Sequence, residues 1–223
     1  MKMAEQKFTS GNHEEIGIST DPVGYIPPLE HDPRPDWDSY FMEVARLVSI
    51  RTTCLSRKVG AVIVRDRRIL STGYNGVPSG LPHCIDLGCL KRGLGIPSGE
   101  RTELCRGSCA EENAIVQAAR FGLPIKGGWI YITNQPCLKC ARMIINVGLE
   151  GVMFAGEYPQ PIALEFLQEA GIVLNRYDYE TREIRPVEKV PVRFLVKHAH
   201  RGLSEALNAS GAGDLQMDGT VDE

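Results

Sequence analysis

Cys109 and Glu111 stand two residues apart in CAEENAI, residues 109 to 115, and Cys137 and Cys140 stand three apart in PCLKC, residues 136 to 140. Two thiols separated by two residues in the first turn of a helix can occupy adjacent corners of a tetrahedron, which is the spacing of zinc ligands. Cys109, opening a neighbouring helix, supplies a third sulfur. Three protein ligands leave the fourth position on the ion open, the catalytic rather than the structural arrangement, and Glu111 is then placed as a general base that does not ligate the metal. Three thiolates leave zinc with a formal negative charge, which makes water at the ion less acidic than neutral ligands would. The positive helix ends are expected to offset it, together with Arg106 or Arg142.

Each of these residues also has a plainer reading. Cys137 and Cys140 alone suit a redox pair or half of a zinc ribbon, and Glu111 alone suits a carboxylate satisfying a helix dipole. The short spacing from Cys109 to Glu111 favours the catalytic reading.

The elements that must position this set are legible from periodicity. Asp36 can cap a helix with Trp37, Tyr40, Phe41, Val44, Leu47 and Val48 as its buried stripe. Strands over 59–64 and 68–74 read as a hairpin. A long Gly- and Pro-rich loop follows from Asn75 to Ser108, and a loop of that length needs a metal, a ligand or a partner to hold it. Beyond it helices over 109–121, 138–147 and 160–170 alternate with strands over 129–133, 152–155 and 172–177, so the later strands should run parallel. Both thiol-bearing helix starts should then lie at the same ends of adjacent parallel strands. The fold class is α/β.

The 223 residues suit one domain plus tails: an extended N-terminal arm over 1–35, a domain over 36–184, and a C-terminal extension over 185–223 ending in a disordered acidic tail. No apolar run is long enough to cross a bilayer, and MKMAEQKFTSGNHEE has no secretory core, so the chain is expected in the cytoplasm with its seven cysteines reduced. A net charge of -3 and 7% aromatic residues argue against a nucleic-acid groove or a membrane surface and favour small ligands.

GYNGVPSG (73–80), CAEENAI, AARFG (118–122) and PCLKC together resemble the deoxycytidylate (dCMP) deaminase family of the cytidine deaminase-like superfamily, over about residues 36–177. The resemblance implies a three-layer α/β/α fold with a mixed five-stranded sheet and hydrolytic conversion of dCMP to dUMP and ammonia, supplying dUMP for thymidylate synthesis. It implies a homo-oligomer, hexamer or dimer, with dCTP and dTTP as effectors acting with Mg2+. Carried over by position, Cys109, Cys137 and Cys140 resemble the ligands of the catalytic zinc and Glu111 the proton shuttle. Asn75 resembles the residue that contacts deoxyribose, Ala110 a second substrate contact, and Arg120 a residue near phosphate or effector at a subunit boundary. Cys54, Cys84, Cys89 and Cys105 bracket the long loop, where some members of the family bind a second, structural zinc; free buried thiols or a partial site with His83 are the alternatives.

One departure stands out, because the family more often has His where this chain has Cys109. Three-cysteine sites also occur in small cytidine deaminases, so a nucleoside substrate stays open; the alternative substrates are cytidine or dCTP, and after them cytosine in single-stranded nucleic acid. A non-catalytic zinc-stabilised regulatory protein is the reading from a different class.

Overall fold

The computed structural model describes residues 34–189. Of the expected arm and C-terminal extension, only residues 34–35 and 185–189 fall among them; the rest lie outside the described residues. Helix α1 (Trp37–Ser49) starts where expected: Asp36 accepts from the Ser39 backbone N–H at 2.9 Å and from the Ser39 hydroxyl at 2.7 Å. Its buried face is rotated from the expected stripe. Phe41, Met42 and Ala45 are buried, whereas Trp37, Tyr40 and Leu47 are exposed. Close approach to the sheet is the reason, since a Cβ on Gly60 would lie 2.0 Å from the Ala45 carbonyl oxygen. Only a small side chain on the helix and none on the strand allow that contact.

Strands β1 (Gly60–Arg65) and β2 (Arg68–Tyr74) pair antiparallel through a two-residue turn. Asp66 and Arg67 both adopt positive φ, 52° and 59°, the backbone that matches the twist of a tight hairpin. The chain from Asn75 to Ser108 contains two single-turn helices, α2 (Cys84–Leu87) and α3 (Leu90–Gly93), and a 3-10 turn at Thr102–Leu104. Its base is pinched shut by two backbone hydrogen bonds, Gly76 N–H to Ser108 O at 3.2 Å and Ser108 N–H to Gly76 O at 2.9 Å.

Helix α4 (Ala110–Arg120) precedes β3 (Trp129–Asn134), α5 (Leu138–Asn146), β4 (Gly151–Gly156), α6 (Ile162–Glu169) and β5 (Val173–Tyr177). β3, β4 and β5 run parallel, as the helical crossovers require. The sheet has six strands in the order β2-β1-β3-β4-β5-β6, not five. The addition is β6 (Ile184–Pro186), antiparallel to β5, which crosses the expected domain end at 184. Three residues ending in proline carry no strand signal in sequence, and proline is tolerated there because the strand lies at an edge.

Alternation along the strands separates two cores, giving the three layers. Ala61, Ile63, Ile130, Ile132, Val152 and Phe154 pack with α4, α5 and α6. Val62, Val64, Tyr131 and Met153 face the other way, against Phe41, Met42 and Ala45 of α1.

Candidate active site

β2 and β3 run in the same direction with the antiparallel β1 between them, so their C-terminal ends share one edge of the sheet. α5 leaves that edge directly after β3, and α4 returns to it because the Gly76–Ser108 pairing delivers Cys109 beside the end of β2. The expectation of a shared strand end therefore holds, but the two strands are not neighbours. A Cβ on Gly73 would lie 2.2 Å from the Ala110 carbonyl oxygen, so this glycine lets α4 press against β2.

Cys109 is the N-cap of α4, Cys137 the N-cap of α5, and Cys140 lies in the first turn of α5. Their three sulfurs all lie within 4.8 Å of one another, the one such group of potential metal ligands among the described residues. Cys109 and Cys137 Sγ are 3.9 Å apart. A tetrahedral zinc with Zn–S bonds of about 2.3 Å separates its sulfurs by about 3.8 Å, so the donor set fits in both chemistry and spacing. Hydrogen bonds from Cys109 and Cys140 hold the Cys137 thiol far below its usual range, and the other two are pushed up in return. Thiols this close together compete for protons, which a divalent cation would displace.

Glu111 is 4% exposed and lines the same cleft of about 400 Å3 as Cys109 and Cys137. Burial pushes its carboxyl from 4.5 up to about 8, with the charge at Cys137 adding to the rise. Its own backbone N–H, Cys140 and Lys139 pull the other way. A carboxyl with its two protonation states close in energy near neutral pH is suited to taking up and returning a proton.

Asn75 and Ala110 also line the cleft. Asn75 does not have positive φ, and its side chain is engaged by backbone: Oδ1 accepts from Val59 N–H at 2.9 Å and Nδ2 donates to Arg57 O at 2.8 Å. Arg120 ends α4 with its guanidinium 5.7 Å from the Phe121 ring and is not part of the cleft lining. Cys54, Cys84, Cys89 and Cys105 line the cleft as well, but their sulfurs do not gather as closely as the first three. Burial raises the Cys84 thiol, and charges at Cys54, Cys89 and Cys105 reinforce the rise, which marks them as its neighbours. The His83 ring Nδ1 is 3.1 Å from the Thr53 hydroxyl.

Arg106 and Arg142 are exposed and outside the cleft lining, with Arg142 resting 6.0 Å from the centre of the Phe166 ring. Lys139 lies in the lining instead. Its position between the two cysteines of PCLKC was the available signal. Arg57 and Tyr158, also lining, were not foreseen; the guanidinium sits 5.3 Å from the centre of the Tyr158 ring and donates to Glu157 O at 3.0 Å. Neither belongs to a periodic pattern, so only the fold brings them to the thiols.

Residues 35–156 match the family described as the cytidine and deoxycytidylate deaminase zinc-binding region. The chain belongs to this family. Zinc is accordingly the metal for which the cysteine cluster is suited. The chain is 35% identical over 177 residues to ComE operon protein 2 of Bacillus subtilis, covering 77% of this chain and 89% of that protein. It is 37% identical over 145 residues to the deoxycytidylate deaminase of Schizosaccharomyces pombe, covering 65% of this chain but only 45% of that relative. Among solved structures, the dCMP deaminase of cyanophage S-TIM5 in complex with dCMP and dUMP superposes with a TM-score of 0.55 at 29% identity, over 65% of this chain and 99% of the phage chain. No described helix is long and apolar enough to cross a membrane.

Proposed function

We propose that this chain hydrolyses dCMP to dUMP and ammonia, supplying dUMP for thymidylate synthesis. The observation that carries this reading is the buried Glu111 carboxyl in one cleft with the three-sulfur cluster. Cys109, Cys137 and Cys140 would hold the zinc. When bound, zinc supplies the Lewis acidity that makes water a competent nucleophile at neutral pH. Glu111 takes a proton from the attacking water and gives it to the pyrimidine ring nitrogen, where it stays in the product, and then carries the remaining proton of the added hydroxyl to the departing amine as the carbonyl forms. Water adds at the ring carbon that bears the amino group, the C–N bond breaks, and ammonia leaves.

Arg57, Lys91 and Arg92 line the same cleft and favour an anionic nucleotide over a nucleoside. The phage enzyme whose structure holds dCMP and dUMP supports a monophosphate in particular. Asn75 and Ala110 serve as substrate contacts in this reading. Cys54, Cys84, Cys89 and Cys105 serve as ligands of a second, structural zinc that ties down the Asn75–Ser108 loop. The chain works in the cytoplasm as a homo-oligomer, hexamer or dimer, with Arg120 near a subunit boundary and dCTP or dTTP with Mg2+ as effectors. Residues 36–184 form the catalytic domain, flanked by the arm and the C-terminal extension.

Purified protein incubated with dCMP, cytidine, dCTP and a cytosine-containing oligonucleotide, with ammonia release as readout, tests the reading. Turnover is expected with dCMP. Preference for cytidine or dCTP would reassign the substrate, and no turnover with any of them by zinc-loaded protein would leave the regulatory reading.

A further inference from the structure

One wall of the cleft is formed by the outer part of the long loop, where Ile96, Pro97, Ser98, Gly99 and Thr102 face the cavity. This wall is far in sequence from α5, the helix that carries Cys137 and Cys140, so something must set its distance from that helix. Within the loop, the Lys91 ammonium donates to Glu100 O, a contact that fixes the loop's shape but not its position on the sheet.

Among the described residues, the hydrogen-bonded tie from this wall to the rest of the domain runs through one side chain. Gln160 Nε2 donates to Gly99 O at 2.9 Å, and Gln160 Oε1 accepts from the Leu138 backbone N–H at 3.0 Å. Leu138 is the first residue of α5 and follows Cys137 directly; its N–H is one of those a helix start leaves unpaired, and Cys137 makes no side-chain capping bond. Gln160 is itself fixed, because its backbone carbonyl accepts from Gln135 Nε2 at 3.1 Å. Gly99 meets the same segment by contact: it has φ +92°, and a Cβ there would lie 2.7 Å from Pro159 Cγ. Both ends of one amide are therefore spoken for, one by the start of the thiol-bearing helix and the other by the loop wall.

We propose that Gln160 is a positioning residue that latches the 96–102 wall to the start of α5 and so sets the width of the substrate cleft. The role in catalysis rests on the deaminase reading; the latch itself does not. A glutamate here keeps the acceptor for Leu138 N–H but sets a second acceptor against Gly99 O, so it opens the wall and leaves the helix start capped. Leucine loses both bonds. Alanine at Gly99 forces the wall from the other side without touching Gln160.

The test compares wild type, Gln160→Glu, Gln160→Leu and Gly99→Ala as the zinc-loaded 223-residue chain, by amide hydrogen exchange, zinc content and steady-state kinetics with dCMP. In Gln160→Glu and Gly99→Ala, exchange over 96–102 should quicken by about tenfold, the scale of one lost hydrogen bond, with zinc content unchanged. KM should rise by more than kcat falls. Gln160→Leu should add faster exchange at the start of α5. Unchanged exchange over 96–102 in both Gln160→Glu and Gly99→Ala overturns the latch, and quickened exchange with KM unmoved overturns its role in setting the cleft. Absence of dCMP turnover in wild type would sink the deaminase reading alone, since exchange still decides the latch.

Discussion

Lys139 donates to Glu112 at 2.6 Å across the gap between α5 and α4, and the same carboxylate oxygen accepts from the Cys109 backbone N–H at 3.3 Å. One carboxylate thus joins the two helix starts that bear the thiols. The pair is partly exposed, 55% at Lys139 and 24% at Glu112, so its contribution to global stability should stay within about 1 kcal/mol. Its value lies in holding the sulfurs in register. Replacing Glu112 by Ala is expected to weaken zinc binding about tenfold while shifting the unfolding midpoint little. Competition with a chromophoric chelator measures the first and a thermal melt the second.

Glu111→Gln keeps the size of the side chain and removes its ability to shuttle a proton. Turnover should fall by at least about a hundredfold with zinc content intact. Ammonia release and metal analysis on the same preparation test this, and surviving activity would remove Glu111 from the mechanism.

Gly73 bears on the site from below. A Cβ at this position meets backbone on two sides, Ala110 O at 2.2 Å and Ala114 N at 2.5 Å, so α4 must shift to admit it. Gly73→Ala should cost about 1–3 kcal/mol in urea unfolding and loosen zinc, because Cys109 and Glu111 ride on the helix that moves.

Asp36 provides a pH signature away from the site. The Ser39 hydroxyl and the Ser39 backbone N–H hold its carboxyl below the ordinary 3.8. A depressed folded-state value means that the stabilisation is fully present above 3.8 and is lost as pH falls through the folded value. Asp36→Ala should cost about 1 kcal/mol near neutral pH. The gap to wild type should close in acid, whereas Asp36→Asn, which can still cap, should melt like wild type near neutrality without that acid-dependent loss.

Metal counting addresses the remaining thiols. Two zinc ions per chain are expected if Cys54, Cys84, Cys89 and Cys105 take one, and a Cys84→Ser variant should then bind a single ion and lose protection in the Asn75–Ser108 loop. One ion in wild type would refute the second site.

The helices and strands over residues 109–177 are legible because crossover helices and parallel strands repeat an unambiguous pattern, and the CAEENAI and PCLKC spacings point to sulfurs that do meet. What escaped depends on contacts no local pattern encodes. Which face of α1 is buried follows from how closely Ala45 approaches Gly60, a fact about two elements rather than one. β6 is too short to show alternation. Lys139 is visible beside the thiols in sequence, but residue type alone does not rank it above the longer Arg106 and Arg142; helix phase points Arg142 to Phe166 instead. Arg57, Tyr158 and Gln160 reach the cleft only once the sheet edge is assembled.

The reciprocal pairing of Gly76 with Ser108 separates the excursion between them from the scaffold beneath. Closing a longer excursion costs little more than closing a shorter one, because the entropy grows only with the logarithm of length. Away from its cysteines and from the 96–102 wall that Gln160 holds, insertions or deletions there should leave the thiol and carboxylate anchorage undisturbed, so those stretches are free to diversify in sequence and recognise different ligands while the chemistry below them stays fixed.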